Sequence, residues 1–328
     1  VYFFQKIVKK LENCIISSSW RFLLGLENNF LENYIMEQSN CYTFSEIIFQ
    51  KGILDETVDA TYVIHLEGNG RMESIQTQLE FVQPTRRVFL LLNKGYKQCD
   101  KDESIQSPPQ DLTDAFLQVF QHAQENQFGN ILILEDDFEW NPEFLHDSSH
   151  QKNIQDFFKK KQGEPFVYRL GCTPQVMIPY QFYHWKLILG GGTHACIYSP
   201  SYRESVLQLD SGIQDWDFFT NKHGFLLQYT YYKPLCYQLF PETENSKHWG
   251  EGNFVSFFIA QNVMKKIKKF LGLDRSVEPG YSIMYTFAKI LFLFFLFLFC
   301  FFLYSVASFL GFWKRIRKSF FYKNRSKT

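Results

Sequence analysis

From Asp59 onward, short unbroken apolar runs alternate with amphipathic stretches. "ATYVIHL", "RRVFLLLN" and "NILIL" predict buried strands, the first two ending near His65 and Asn93. Leu112, Ala115, Phe116, Val119, Phe120 and Ala123 recur at helical spacing. They predict a helix capped by Asp111, running to about Asn126 and closed by Gly129. The polar stretch before it, "YKQCDKDESIQSPPQ", predicts a loop ending at Pro108 and Pro109. This alternation predicts an α/β fold with a mainly parallel central sheet covered by helices. Ligands of such sheets bind beyond the carboxyl ends of the strands.

Downstream, "QKNIQDFFKKK" predicts an exposed helix and "PFVYRLG" a strand. A glycine run in "WKLILGGGTHACIYSP" feeds a further short strand, and Pro200 opens a helix to Leu209. "DWDFFTNKHG" predicts a helix ended by Gly224, and "FLLQYTYY" and "PLCYQLF" supply late strands. Residues 1–57 are mixed and aromatic, predicting a largely helical appendage ahead of a main domain at 58–255.

The pattern changes again at 290–313, "ILFLFFLFLFCFFLYSVASFLGFW", which carries no charge. About 20 apolar residues cross a bilayer as a helix, so this stretch predicts a transmembrane helix. A basic juxtamembrane linker at 256–289, containing "MKKIKKFLGLDR", precedes it and can lie against lipid. A basic tail at 314–328 follows. The tail places the C-terminus in the cytoplasm by the positive-inside rule, which puts the main domain outside it. Against this, the apolar run at the N-terminus is too short for a signal peptide, and a lone late span leaves the preceding domain cytosolic. The expectation is a single-pass C-terminal anchor with a cytosolic domain. The seven cysteines include no CxxC pair, which predicts neither a disulfide framework nor a zinc site and fits reduced thiols.

Charge then narrows the function. With 34 basic and 34 acidic residues the chain lacks the footprint of a nucleic-acid binder. Attention falls on Glu135, Asp136 and Asp137, adjacent carboxylates at the end of the third strand. Left alone they repel one another. A hard cation such as Mn²⁺ or Mg²⁺ takes oxygen ligands and can neutralise a diphosphate leaving group at this edge. A solvated acidic turn is the bland alternative, and phosphohydrolase chemistry is another.

Five segments in order resemble glycosyltransferase family 25, the lipopolysaccharide and collagen sugar transferases. They are "YVIHLEGNGRMESI", "ILILEDDF", "GGGTHACIYSP", "DWDFF" and "PLCYQLFPETENSKHW", spanning about Thr61 to Trp249. The resemblance implies a GT-A fold, a nucleotide-sugar donor, commonly UDP-linked, and a divalent metal at a DXD-like motif. It further implies a hydroxyl acceptor on a glycan, protein or lipid. By position, Asp137 would be the metal ligand, with Asp136 and Glu135 holding metal water or the donor's ribose. Arg71 would face the nucleotide or its phosphates. The opening turn departs from the family, which follows its strand with Asn, Leu, Asp and several arginines. Here His65, Leu66, Glu67 and a single Arg71 stand there.

An inverting transfer needs a base for the acceptor hydroxyl. Asp215 and Asp217 are the candidates, Asp215 favoured as helix cap and Asp217 as base, with Trp216 either stacking on a sugar or sitting in the core. Thr193 and His194, after the glycines, can hydrogen-bond the donor sugar or belong to a plain turn. His248 can complete the metal shell, and Glu244 and Asn245 can close the donor pocket. The reading is a metal-dependent glycosyltransferase on a membrane anchor. Its rivals are an inactive membrane-tethered carbohydrate- or partner-binding relative and a metal-dependent phosphohydrolase.

Overall fold

The computed structural model describes residues 41–209, 212–239, 263 and 265–325. Eleven strands are described: β1 (Tyr42–Ile48), β2 (Ala60–Leu66), β3 (Arg87–Asn93), β4 (Ile131–Glu135), β5 (Phe138–Trp140), β6 (Val167–Arg169), β7 (Thr173–Pro179), β8 (His184–Gly191), β9 (Ala195–Tyr198), β10 (Gln228–Tyr231) and β11 (Cys236–Gln238). The helices are α1 (Met72–Phe81), α2 (Pro108–Glu125), α3 (Pro142–His146), α4 (Ser148–Lys160), α5 (Pro200–Leu207), α6 (Trp216–His223), α7 (Lys265–Phe270) and α8 (Gly280–Arg325).

Nine strands form one sheet in the order β1-β3-β2-β4-β9-β6-β10-β8-β7, and β11 pairs with β5 separately. The α/β class holds, but the sheet is mixed rather than mainly parallel. Helices α1 and α2 are the crossovers that make β3, β2 and β4 parallel neighbours. Beyond β4 the pairings β4/β9, β9/β6, β10/β8 and β8/β7 are antiparallel, with β6/β10 the one parallel pair. Short hairpin connections such as β7–β8 allow only antiparallel neighbours.

Two local expectations also change. Residues 42–48, assigned to a helical appendage, form the edge strand β1 antiparallel to β3. Residues 1–40 lie outside the described residues. Helix α2 begins at Pro108 behind Ser107, so both prolines open the helix rather than close a loop. A proline there loses nothing, because the first helical N–H groups have no partner in the helix anyway. Asp111 is not the cap. It pairs with the buried ammonium of Lys101, which also donates to Asn93 at 2.8 Å.

The expectation of reduced thiols fails for one pair: Cys41 and Cys99 form a disulfide. They are 58 residues apart and meet only because β1 pairs with β3, a long-range contact that spacing could not reveal. Closing a loop of this length stabilises a fold by about 2–4 kcal/mol. Cys172, Cys196 and Cys236 are buried free thiols.

The core has two faces. Val63, Leu90, Leu132, Leu134, Phe157 and Tyr168 belong to one, and Tyr62, Phe116, Phe120, Ile133 and Trp216 to the other. Helix α4 is not merely exposed, since its Ile154, Phe157 and Phe158 are buried on the first face. A third cluster joins Cys172, Met177, Leu187 and Tyr237 to Leu273, Tyr281, Met284, Tyr285 and Ala288. The described part of the linker from Leu271 and the base of α8 are therefore packed into the domain. From Gly280 to Leu310 the helix is long and apolar enough to cross a membrane, and its most apolar stretch is exposed.

Candidate functional site

Strands β2, β3 and β4 end side by side, and a cavity of about 460 Å³ opens beyond their carboxyl ends. Ile64, Asn69 and Arg71 line it from the β2–α1 turn, and Glu135, Asp136 and Asp137 from the end of β4. Lys94 to Gln98, after β3, and Gln238, at the end of β11, complete the wall. The β3 loop is held there by the Cys41–Cys99 bond and by Asn93, whose Oδ1 accepts from Gly95 N at 2.8 Å. Gly95 has φ +78°, and a Cβ there would lie 2.8 Å from Leu66 Cδ1, so only glycine fits without strain.

The three adjacent carboxylates have different environments. Asp136 accepts from Arg71 Nη1 and Asn69 Nδ2, and from Leu66 N at 3.2 Å, with His65 Nδ1 3.4 Å away. Burial raises its pKa, but the nearby His65 ring, the charge of Arg71 and the bonds from Arg71 and Asn69 outweigh it, so Asp136 is held below the usual carboxylate range. Its oxygens are committed to the turn after β2 rather than left open for metal, metal water or ribose. Asp137 accepts from Gln238 Nε2 at 2.9 Å and lies 3.3 Å from Arg71. Burial still pushes its pKa up, Arg71 offsetting only part of the cost. Glu135 accepts from Thr193 Oγ1 at 2.8 Å, and burial, then Asp137 and Asp217, push it well up. Protein groups thus hold Asp136 down, while burial holds Glu135 and Asp137 up.

Arg71 spans Asp136 and Asp137 and is 29% exposed into the cavity. Burial lowers its pKa, but Asp137 and Asp136 more than restore it, so it stays a cation. Lys268 of α7 was not foreseen. It is buried, and its burial outweighs the attraction of Asp217, Asp137 and Glu135, bringing it down to about 8. The signal was "MKKIKK", which reads as a basic run lying against lipid.

On the other side of Glu135, Asp215 caps α6, its side chain accepting from Phe218 N at 3.0 Å. Asp217 is left for other work. One of its oxygens is buried without a hydrogen-bond partner, 3.9 Å from Arg169 Nη1. Arg169 is fully buried and donates to the carbonyls of Gly190 and Gly192, to Thr220 Oγ1 and to Gln228 Oε1. Its position at the end of "FVYR" was the available signal, a charge closing an apolar strand. Gly192, with φ +87°, turns its carbonyl to this guanidinium.

Other expected residues do different work. Trp216 is buried, stacked on Phe116 at 4.6 Å and bonded to Tyr198, so it is core rather than a sugar platform. His194 is buried against Cys236 O at 3.3 Å, and burial drives it down to about 3. It is a neutral strut and does not reach the cavity. Thr193 reaches the site through Glu135. Glu244, Asn245 and His248 lie outside the described residues.

Burial, then Asp217, pushes Asp215 up to about 6 from an ordinary 3.8. A raised folded-state value means its contribution to stability is complete below about 4 and is lost as pH rises through about 6. Asparagine caps a helix as well as aspartate does. Asp215→Asn is therefore expected to raise the Tm by about 2–4 °C at pH 7.5 and not at pH 4. Thermal melts across that range check it, and an equal shift at both pH values would contradict the assignment.

Among the described residues, no group of three or more His, Cys, Asp and Glu side chains is gathered to hold a metal ion. Mg²⁺-type sites need fewer, taking one or two carboxylates and completing the shell with substrate phosphates and water. Asp137 and Glu135, both lining the strand-end cavity, supply that lesser number of carboxylates. No protein-family model matches the chain, and no curated protein matches it.

Proposed function

We propose that the chain is a glycosyltransferase of GT-A type that moves a sugar, with inversion, from a nucleotide-sugar donor, UDP-linked by preference, to a hydroxyl acceptor. The observation that carries this is the strand-end cavity, where Glu135, Asp136 and Asp137 stand beside Arg71 and Lys94. A diphosphate brings negative charge that those cations attract, and a divalent ion lets it approach the carboxylates. Asp137, with Glu135, would hold Mn²⁺ or Mg²⁺, which when bound would neutralise charge on the diphosphate leaving group. Arg71 orients Asp137 and faces the phosphates. Asp217 takes the proton from the acceptor hydroxyl as its oxygen bonds to the anomeric carbon. The bond from that carbon to the phosphate oxygen breaks, and the nucleoside diphosphate leaves. Arg169 and the cap at Asp215 fix where Asp217 stands.

The test is a panel of UDP-, GDP- and CMP-sugars with and without Mn²⁺. One donor class is expected to raise the Tm and to be turned over only with metal. Absence of any shift across the panel would reject the donor pocket. Turnover unchanged by chelation would reject the metal.

We also propose that α8 spans the membrane and that the sheet domain lies on the non-cytosolic face. This reverses the cytosolic expectation. The disulfide fits an oxidising compartment, and the basic tail beyond the span favours the cytoplasmic side. In sealed microsomal vesicles the sheet domain is expected to resist added protease until detergent is present. Digestion without detergent would reverse the assignment.

A further inference from the structure

Helix α8 is bonded into the sheet domain before it leaves it. Tyr281 in its first turn accepts from Gln238 N at 3.1 Å and donates to Gln238 O at 3.2 Å. One turn further, Tyr285 bonds Thr230 at 3.0 Å and lies 3.3 Å from Cys172 Sγ. Both tyrosines are buried. The domain is thus clamped to the helix, and the course of α8 fixes which of its surfaces meets a bilayer. That surface is the β7–β8 edge of the sheet. Val176, Met177 and Ile178 of β7 share an apolar groove with α8 residues from Ala288 to Phe299. Trp185 of β8 lies against Phe292, the rings 6.0 Å apart. Lys289 Nζ stands 5.4 Å from the Tyr232 ring, which packs on Tyr183 at 5.7 Å. Tyr232 N donates to the Tyr183 carbonyl at 2.9 Å. Beside Tyr183, at the tip of the β7–β8 turn, Phe182 is 89% exposed.

Helix length places this edge relative to lipid. The uncharged run 290–313 is 24 residues, about 36 Å of helix against about 30 Å of hydrocarbon. The surplus is about one turn. It does not fall at the far end, where Lys314 and Arg315 follow Trp313 directly and belong among headgroups. It falls at Ile290 to Leu293, where β7, the last strand of the sheet among the described residues, runs beside the helix. An open sheet edge does not enter hydrocarbon, because its backbone groups have no water there. Phe295 and Phe299 still reach the edge, since helical side chains lean toward the N-terminus of their helix. Tyr183, Trp185, Tyr232 and Lys289 therefore stand at headgroup level. Tyrosine and tryptophan favour that layer, and a lysine there turns its ammonium to phosphate.

We propose that the β7–β8 hairpin is a membrane-docking surface whose partner is the bilayer itself: Phe182 rests in the headgroup layer of the leaflet that α8 enters, and Tyr183, Trp185 and Tyr232 form an aromatic collar at that boundary. The inference rests on α8 as the span and is independent of the transferase reading. Docked in this way, the sheet stands on its β7 edge instead of swinging on a tether. The strand-end cavity is then held at a fixed height. Tyr281, which grips the cavity residue Gln238, precedes Ile290 by about 14 Å of helix.

The full chain, with Cys14→Ser, would be placed in phosphatidylcholine nanodiscs whose lipid carries a nitroxide either on the headgroup or deep in one acyl chain. A thiol-reactive fluorophore on Cys300, the exposed free cysteine among the described residues, reports on the span. With Cys300→Ser added, Gln181→Cys carries the label on the hairpin and Ser45→Cys carries it on β1. Strand β1 is the opposite edge of the sheet, about 38 Å from β7 at ordinary strand spacing. The headgroup nitroxide is expected to quench the hairpin label at least about threefold more than the β1 label, and the deep nitroxide to quench the Cys300 label. Phe182→Cys is a second hairpin position with the same expectation, and its exposure guards against a folding failure. Quenching at Cys300 with hairpin and β1 labels alike would overturn the docking and leave the span standing. No quenching at Cys300 would remove the span and the docking with it. A hairpin label shielded from both nitroxides and from aqueous iodide would put a protein, such as a second copy, where lipid is proposed, and would overturn the docking too.

Discussion

On the transferase reading proposed above, Asp137→Asn is expected to lower donor turnover by about a thousandfold without lowering the Tm. The loss has the size seen when an electrostatic group that acts on transition-state charge is removed. Stability should move the other way, because the folded chain raises the pKa of Asp137 through burial. A carboxyl whose folded value lies above its unfolded one stabilises only when protonated, so at neutral pH the ionised group opposes folding. Asparagine keeps the oxygen that accepts from Gln238 Nε2 and removes the buried charge. Arg71 retains its bond to Asp136. The variant should thus be at least as stable as the parent at pH 7.5, with the advantage fading toward pH 4. Turnover assays beside thermal melts separate the outcomes. Activity lost together with several degrees of Tm would make Asp137 a structural residue, and activity retained would remove it from the mechanism.

The contrast within the triplet shows where sequence reading reached and where it stopped. Runs such as "NILIL" are legible because a strand covered on both faces must be apolar throughout, and the chemistry at its end follows from chain direction alone. The identity of the compensating groups was not legible. Asp136 is neutralised by Arg71, Asn69 and His65, which are 65 to 71 positions earlier and arrive through the parallel pairing of β2 with β4. The Cys41–Cys99 bond and the placement of Lys268 are hidden for the same reason, since each depends on a contact between distant segments. Trp216 illustrates a different limit. Its position beside two aspartates suits a sugar platform and a core residue equally, and only the stacking on Phe116 decides between them.

Arg169→Leu is expected to cost about 4 kcal/mol of stability, and Arg169→Lys somewhat less. Leucine matches the burial but abandons the Gly192 carbonyl, the Thr220 hydroxyl and the Gln228 amide oxygen, while the Gly190 carbonyl keeps Asn221 Nδ2 as donor. Each buried acceptor left without a donor costs about 1–3 kcal/mol, and local relaxation recovers part of the sum. Lysine keeps a charge but not the planar fork that reaches two nitrogens to opposite sides, so it can satisfy only some of these acceptors. The lysine variant also separates structure from chemistry. Arg169 stands 3.9 Å from Asp217 and donates to Thr220 on the same helix, whereas the proposed donor site is the cavity walled by the ends of β2, β3 and β4. At a temperature where Arg169→Lys remains folded, kcat should therefore fall while the KM for the sugar nucleotide holds. Denaturant melts give the first quantity and steady-state kinetics the second. A rise in donor KM with kcat intact would move Arg169 out of the positioning of Asp217 and into the architecture of the donor pocket.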